Sequence, residues 1–296
     1  MVRRRRRLKR RRLRRSLALA LLAIVLALAL KLFWPAGEAH VYAGLPRAED
    51  WITRLSTHNL DNSGFALGYS ELRAAPLWVA YIARPPARRD LPPRPSFTVD
   101  TRTLRRVAHR DYTGSGFDRG HLAPNYLMAL AYGPDAQAAT FRMSNIVPQA
   151  PRHNQLLWQR MEELEADALV ERHTRLWVLT GPVYGEAADA LASGVAVPEA
   201  LYRIWLREEA DGQLRVAAFL VPQRVCGDER LEAFLVPVRV VEQRTGLDFF
   251  HELPDALEER VETRASLEHW PAIREAGTEA RYGERWEGRA CPWRSR

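Results

Sequence analysis

Nineteen consecutive residues, Ser16 to Trp34 (SLALALLAIVLALALKLFW), carry a single charge, Lys31, and divide the chain before anything else is read. At about 1.5 Å per helical residue this run just spans a bilayer core. Ahead of it, residues 1–15 hold ten Arg and one Lys. The positive-inside rule keeps such a block on the cytoplasmic side and sends the rest of the chain across. A cleaved signal peptide is the rival reading, but its apolar stretch is usually shorter and a small-x-small cleavage site follows it. Here Leu32-Phe33-Trp34-Pro35 follows, and Trp34 suits a membrane interface. The expectation is a basic cytoplasmic segment over 1–15, a transmembrane signal anchor over 16–34 and an exported remainder. Removing the +11 of residues 1–15 from the net +8 leaves −3 for residues 16–296. The folded part is therefore slightly acidic, and any grip on a polyanion must come from local arginine clusters.

Residues 35–50, punctuated by Pro35, Gly37, Gly44 and Pro46, read as a linker. Phe65–Tyr69 and the aromatic, β-branched Leu77–Ile82 read as strands. Ala83–Pro95 (ARPPARRDLPPRP) is loop, and Tyr112–Gly120, with three glycines, is a turn leading into His121. Asn154–Arg172 is the clearest helix, with Leu157, Met161, Leu164, Ala168 and Leu169 at helical spacing. Arg175–Thr180 reads as a strand ended by Gly181-Pro182. Leu201–Leu206 and Leu214–Val221 read as an antiparallel pair joined through Asp211-Gly212. Phe234–Val241 precedes a stop at Thr245-Gly246. The folded domain is expected over 51–270 and a weakly ordered tail over 271–296. Strands separated by long excursions, with no regular βαβ alternation, predict an α+β fold. Cys226 and Cys291 form no CxxC pair, which argues against zinc; in an exported chain they form either one disulfide or two free or buried thiols.

Chemistry concentrates in Asp118-Arg119-Gly120-His121, Ser144-Asn145-Ile146-Val147-Pro148-Gln149 and the pair Asn154 and Glu162. A neutral histidine near pH 7 is a suitable base for water. An asparagine and a carboxylate can hold a hard cation and its waters. An arginine beside the histidine can meet a phosphate. Each residue also has an ordinary role: His121 in packing, Asn154 as a helix N-cap, Asn145 in a turn, Glu162 on a solvated face, Asp118-Arg119 as an exposed ion pair. On an α-helix, eight residues advance about 800°, so Asn154 and Glu162 share a broad face two turns apart. Asp118 is expected to orient the His121 ring or a neighbouring arginine. Nine arginines between Arg84 and Arg119 offer a lining for a phosphate backbone, or simply a solvated loop. No nucleophilic triad, P-loop or dinucleotide fingerprint is present.

The ordered set resembles the DNA/RNA non-specific endonuclease family. The DRGH motif is Asp118–His121, the S-N-I-x-P-Q element is Ser144–Gln149, and the N-Q-x-x-W-x-x-x-E element is Asn154, Gln155, Trp158 and Glu162. Gly64–Tyr69, Asp111–Phe117 and Thr245–Phe250 are similar too, so the resemblance covers about residues 50–255. It implies a ββα-metal (His-Me finger) fold with a central antiparallel sheet and flanking helices. It further implies His121 as general base, Asn154 as the direct ligand of Mg²⁺ (Mn²⁺ as substitute), and Glu162 and Asn145 positioning metal waters. Arg119 would hold the phosphate region. An upstream arginine would meet transition-state charge, with Arg94 the better match and Arg89 its rival. The implied partners are DNA and RNA, cut without sequence preference to 5′-phosphate and 3′-hydroxyl ends, and a homodimer is a further expectation. The other functions considered are a silent nucleic-acid-binding membrane protein and a hydrolase of small phosphodiesters. The expected location is a bacterial inner membrane with the domain in the periplasm, or else a mitochondrial inner membrane, since an Arg-rich, acid-poor start also resembles a transit signal.

Overall fold

Apolar runs too continuous to alternate with solvent become strands covered on both faces. The structure, a computed structural model, describes residues 40–185, 188–281 and 283–293. The basic segment and the expected anchor lie outside the described residues. Among the described residues no helix is long and apolar enough to cross a membrane.

In chain order the strands that build and support the site are β1 (Thr57–Asn62), β2 (Phe65–Ser70), β3 (Ala75–Ala83), β4 (Asp118–His121), β5 (Ile146–Gln149), β6 (Leu176–Val183), β7 (Ala200–Glu208), β8 (Leu214–Pro222) and β9 (Leu235–Val236). Seven of them form one sheet in the order β9-β8-β7-β6-β3-β2-β1, antiparallel at every pairing. The helices are α1 (Trp51–Ser56), α2 (Asn125–Tyr132), α3 (Pro134–Thr140), α4 (residues 151–173), α5 (Val238–Thr245), α6 (Asp255–Glu262) and α7 (Pro271–Glu275). The architecture is a mixed α/β fold around a central antiparallel sheet, as the sequence reading expects.

β3 shows how the layers arise. Val79 and Tyr81 enter one core with Leu157, Trp158, Met161 and Leu169 of α4 and Leu127 and Met128 of α2. Trp78 and Ala80 enter the opposite core with Val238 and Val241 of α5, Phe249 and Phe250. The helix carrying Asn154 is thus pinned by its apolar stripe onto the middle of the sheet.

Four local expectations are corrected. β6 does not stop at Gly181-Pro182 but runs to Val183, because β3 pairs with it only as far as Thr180 while β7 continues to Val183. Pro182 therefore lies where one neighbour is already gone and its missing N–H costs no ladder bond on that side. Gly181 is there because a Cβ would lie 2.4 Å from the Leu77 carbonyl oxygen. Residues 40–50 are not a linker: Arg47–Ala48 pairs with Leu247–Asp248, and the Tyr42 ring lies 4.9 Å from that of Trp177. The chain after Trp270 is not a loose tail. Ile273 is fully buried, Cys291 is disulfide-bonded to Cys226, and Arg152 of α4 donates to the carbonyls of Arg289 and Ala290. Beyond α7, whose Ala272 and Ile273 enter the core, the last segment is a strap laid across α4, held by polar and covalent contacts that apolar periodicity cannot register. Lastly, α4 begins at residue 151 and Asn154 N donates to Ala150 O at 2.9 Å, so Asn154 is inside the first turn and is not its N-cap.

Candidate active site

β4 and β5 pair antiparallel, Asp118 opposite Gln149 and His121 opposite Ile146, and α4 follows two residues later. The three elements make a strand–strand–helix unit beside the main sheet. Gly120 is required at the crossing: a Cβ there would lie 1.9 Å from Gln149 Oε1. The Gln149 amide it makes room for donates through Nε2 to His153 Nδ1 at 2.6 Å, fixing β5 to the first turn of α4.

α4 is not a plain α-helix. Residues His153–Trp158 and Leu164–Leu169 form π-helical turns. A π-bulge absorbs about one extra residue, so the eight steps from Asn154 to Glu162 advance like roughly seven, about 700°. The two side chains thereby come within about 20° of one line instead of the 80° of a regular helix. The sequence pattern shows the helix but not this change of phase.

Asp118 is the hub of the unit. Its Oδ2 accepts from Asn154 Nδ2 at 2.9 Å and from Gln155 Nε2 at 2.7 Å. The expectation that Asp118 orients His121 or an arginine is replaced by this one. With its amide nitrogen held by a carboxylate, Asn154 presents its carbonyl oxygen Oδ1 away from Asp118, the orientation a hard cation needs.

His121 ends β4. Its ring lies 5.5 Å from the Phe97 ring and 4.8 Å from the Phe141 ring. Its Nε2 is shut off from solvent with no hydrogen-bond partner among the described residues. Burial, with the charge of Arg94 adding to it, pulls the ring's pKa down to about 3, so His121 is neutral. Leaving a buried polar atom unpaired costs about 1–3 kcal/mol. Arg94 reaches the same place, its guanidinium 5.3 Å from the Phe141 ring. Arg89 and Arg94 are both exposed on this loop; of the two, Arg94 is the one whose charge bears on His121.

Asn145 is fully buried and its amide is consumed by backbone. Oδ1 accepts from Ala123 N at 2.9 Å, and Nδ2 donates to Ala123 O and Thr140 O. It therefore fixes the segment after His121, and the expected contact with metal waters is not available to it. Arg119 likewise donates to the His109 carbonyl at 3.1 and 2.8 Å and to Thr113 Oγ1. In this structure it braces the preceding turn. Of the wider arginine cluster, Arg102 is bound to Asp100 at 2.6 Å and Arg84 lies over the Tyr132 ring at 3.9 Å.

Sequence reasoning missed two residues. Arg203, on β7, is fully buried and lies 3.4 Å from Glu165, 3.8 Å from Glu162 and 4.5 Å from the Trp158 ring centroid. Its Nη2 also donates to Leu122 O at 3.5 Å, the residue after His121. Burial raises the Glu162 carboxyl to about 8 against the opposing pull of Arg203. The only signal was an arginine inside the apolar run ALYRIWL. Asp100 is the second: 4 % exposed, it accepts from Ser144 Oγ at 2.6 Å and from Arg102. Burial raises its carboxyl, but those hydrogen bonds outweigh burial and leave it at about 2. It ties the loop carrying Arg94 and Phe97 to the turn before β5.

The sequence matches the model of the family described as DNA/RNA non-specific endonuclease over residues 51–256. It is 31% identical over 203 residues to endonuclease G, mitochondrial, of Bos taurus, covering 63% of this chain and 63% of that protein. It is 35% identical over 161 residues to nuclease EXOG, mitochondrial, of Xenopus laevis, covering 50% of this chain and 44% of that protein. The chain thus spans less than two thirds of these relatives. A nuclease of Nostoc sp. is 28% identical over 244 residues, which is 78% of this chain and 87% of that one. A crystal structure of an EndoG/EndoGI complex superposes with a TM-score of 0.63 at 26% identity, covering 73% of this chain and 90% of that one. With the family's elements in order along the chain and its model matched from residue 51 to 256, this chain belongs to the DNA/RNA non-specific endonuclease family.

Proposed function

We propose that the chain is a Mg²⁺-dependent, sequence-indifferent endonuclease of the ββα-metal type that hydrolyses phosphodiester bonds of DNA and RNA. The observation that carries this reading is the neutral, unpaired Nε2 of His121 on the same short strand whose Asp118 holds the Asn154 amide. The donor set fits a hard divalent cation: Asn154 offers a carbonyl oxygen whose amide cannot turn away, and Glu162 stands on the same helix face. Mg²⁺, with Mn²⁺ as a substitute, would supply the positive charge that offsets charge growing on the non-bridging and leaving oxygens. The remaining work falls to the chain. His121 takes the proton of the attacking water. Arg94, beside it, stabilises negative charge as it develops on the phosphate. Arg203 and Asn145 keep Glu162 and the His121 segment in register.

The working environment is proposed to be outside the cytoplasm, tethered by residues 16–34, in a bacterial periplasm or alternatively at a mitochondrial inner membrane. The Cys226–Cys291 disulfide supports an oxidising compartment. A homodimer is part of the proposal.

The test is cleavage of supercoiled plasmid by the full chain with Mg²⁺, with EDTA, and as His121→Ala. Nicking that needs both Mg²⁺ and His121, with a rate loss of about 10²–10⁴-fold in the variant, is expected. A folded His121→Ala protein that cuts at the wild-type rate would remove the mechanism.

A further inference from the structure

A groove of about 360 Å³ opens beside the site, and its lining belongs to none of the machinery described above. Phe117 and Pro151 line it together with Trp286 and Trp293, both from the C-terminal strap. Two arginines complete it, and among the described residues no acid lines it. The Arg224 guanidinium lies 5.0 Å from the Trp293 ring, and that of Arg152 lies 4.7 Å from the Trp286 ring. Trp293 is 53% exposed. The Arg224 guanidinium lies against part of the indole, and the exposed remainder is a flat apolar surface on which another ring can stack.

Resting on the nuclease reading, we propose that this groove takes one unstacked nucleobase of a single-stranded segment, stacked on Trp293, while Arg224 meets its phosphate. Three observations favour that occupant. Continuity is the first: Phe117 precedes Asp118, and Pro151 lies one turn before Asn154, so a strand in the site passes the groove mouth. Charge is the second: arginines without acids suit a polyanion. Chemistry is the third: base-on-indole stacking is sequence-tolerant because every base has a π-face. A paired base stays inside its duplex, so the groove favours single-stranded DNA and RNA over duplex. The Cys226–Cys291 bond holds Trp293, two residues beyond it, against the body of the protein.

The test uses the full chain in detergent with EDTA, so that nothing is cut, and measures fluorescence anisotropy of labelled oligothymidylate and of a duplex of equal length. Trp293→Ala should lower the ratio of single-strand to duplex affinity about tenfold, the loss of one stacked base. Trp293→Phe should recover most of it, and Trp51→Ala, an exposed tryptophan outside the groove, should leave the ratio unchanged. If Trp293→Ala keeps the wild-type ratio while the wild type still cuts plasmid, the groove proposal falls and the nuclease reading stands. If the wild type neither cuts nor binds, both fall. Self-association that Trp293→Ala abolishes would give the groove to a second copy and overturn the proposal.

Discussion

Asp118 and Asn154 are joined across the strand–helix junction by a 2.9 Å hydrogen bond in which a carboxylate fixes an amide. The bond decides which end of the Asn154 side chain faces outward. Outer partners of this kind commonly change metal affinity by about 10–100-fold. Asp118→Asn keeps the size of the side chain but removes the charge that selects the amide nitrogen. The expected result is a Mg²⁺ requirement shifted upward by about 10-fold or more in plasmid cleavage, with melting temperature changed little. An unaltered Mg²⁺ titration would show that Asn154 does not act through its carbonyl.

Opposed pKa shifts predict a stability plateau in mildly acidic buffer. Burial pulls His121 and His153 from 6.5 to about 3, so below pH 6.5 the unfolded chain binds protons that the fold refuses. Stability from these two is complete above 6.5 and is lost as pH falls toward 3. Burial pushes Glu162 and Glu262 from 4.5 to about 8, so their contribution is complete below 4.5 and is lost as pH rises toward 8. Between about 4.5 and 6.5 the two trends cancel. Asp100, at about 2, adds to the loss below its unfolded value of 3.8. Urea midpoints in metal-free buffer at pH 3.5, 5.5 and 8.5 should be highest at 5.5, and a steady rise from acid to alkali would contradict the assignment of the buried glutamates.

Much of this was legible from residue order. Leu77–Ile82 reads as a buried strand because both its faces are apolar, and it lies inside the sheet, between β2 and β6, for that reason. His121, Asn154 and Glu162 were found because residue types with matching chemistry recur at informative spacing. What stayed hidden depends on contacts distant in sequence. Arg203 is 41 residues beyond Glu162, and only the packing of β7 against α4 makes it a partner. Arg119 looks free in the sequence, yet the turn at His109 takes its guanidinium. The strap after Trp270 has little apolar periodicity because it is held by Arg152, Arg160 and a disulfide. The π-turns of α4 leave no mark in hydrophobic spacing, since an extra residue shifts phase without changing composition.

Closing a loop with a separation of 65 residues, the Cys226–Cys291 bond should contribute about 4 kcal/mol by restricting the unfolded chain. Cys291→Ser, or wild type held in reductant, should melt well below the oxidised protein. Because the strap crosses α4 at Arg152, the loss should be accompanied by earlier hydrogen exchange in the first turns of that helix than in β3. Identical melting curves with and without reductant would mean that the strap stays in place without the bond.

Arg203 offers the sharpest test of how the core supports the site. It is fully buried with Glu165, which also accepts from Tyr81 Oη and Trp205 Nε1 at 2.8 Å each. Removing one member of a buried ion pair strands the other, at a cost of about 3–5 kcal/mol. Arg203→Met should therefore destabilise by that amount in chemical denaturation. Arg203→Met with Glu165→Gln removes the stranded charge as well and should recover a large part of the loss. Activity should not recover with it, because Glu162 and the Leu122 carbonyl have still lost the guanidinium that joins them. A double variant restored in both stability and plasmid cleavage would reduce Arg203 to a structural residue and detach Glu162 from its proposed support.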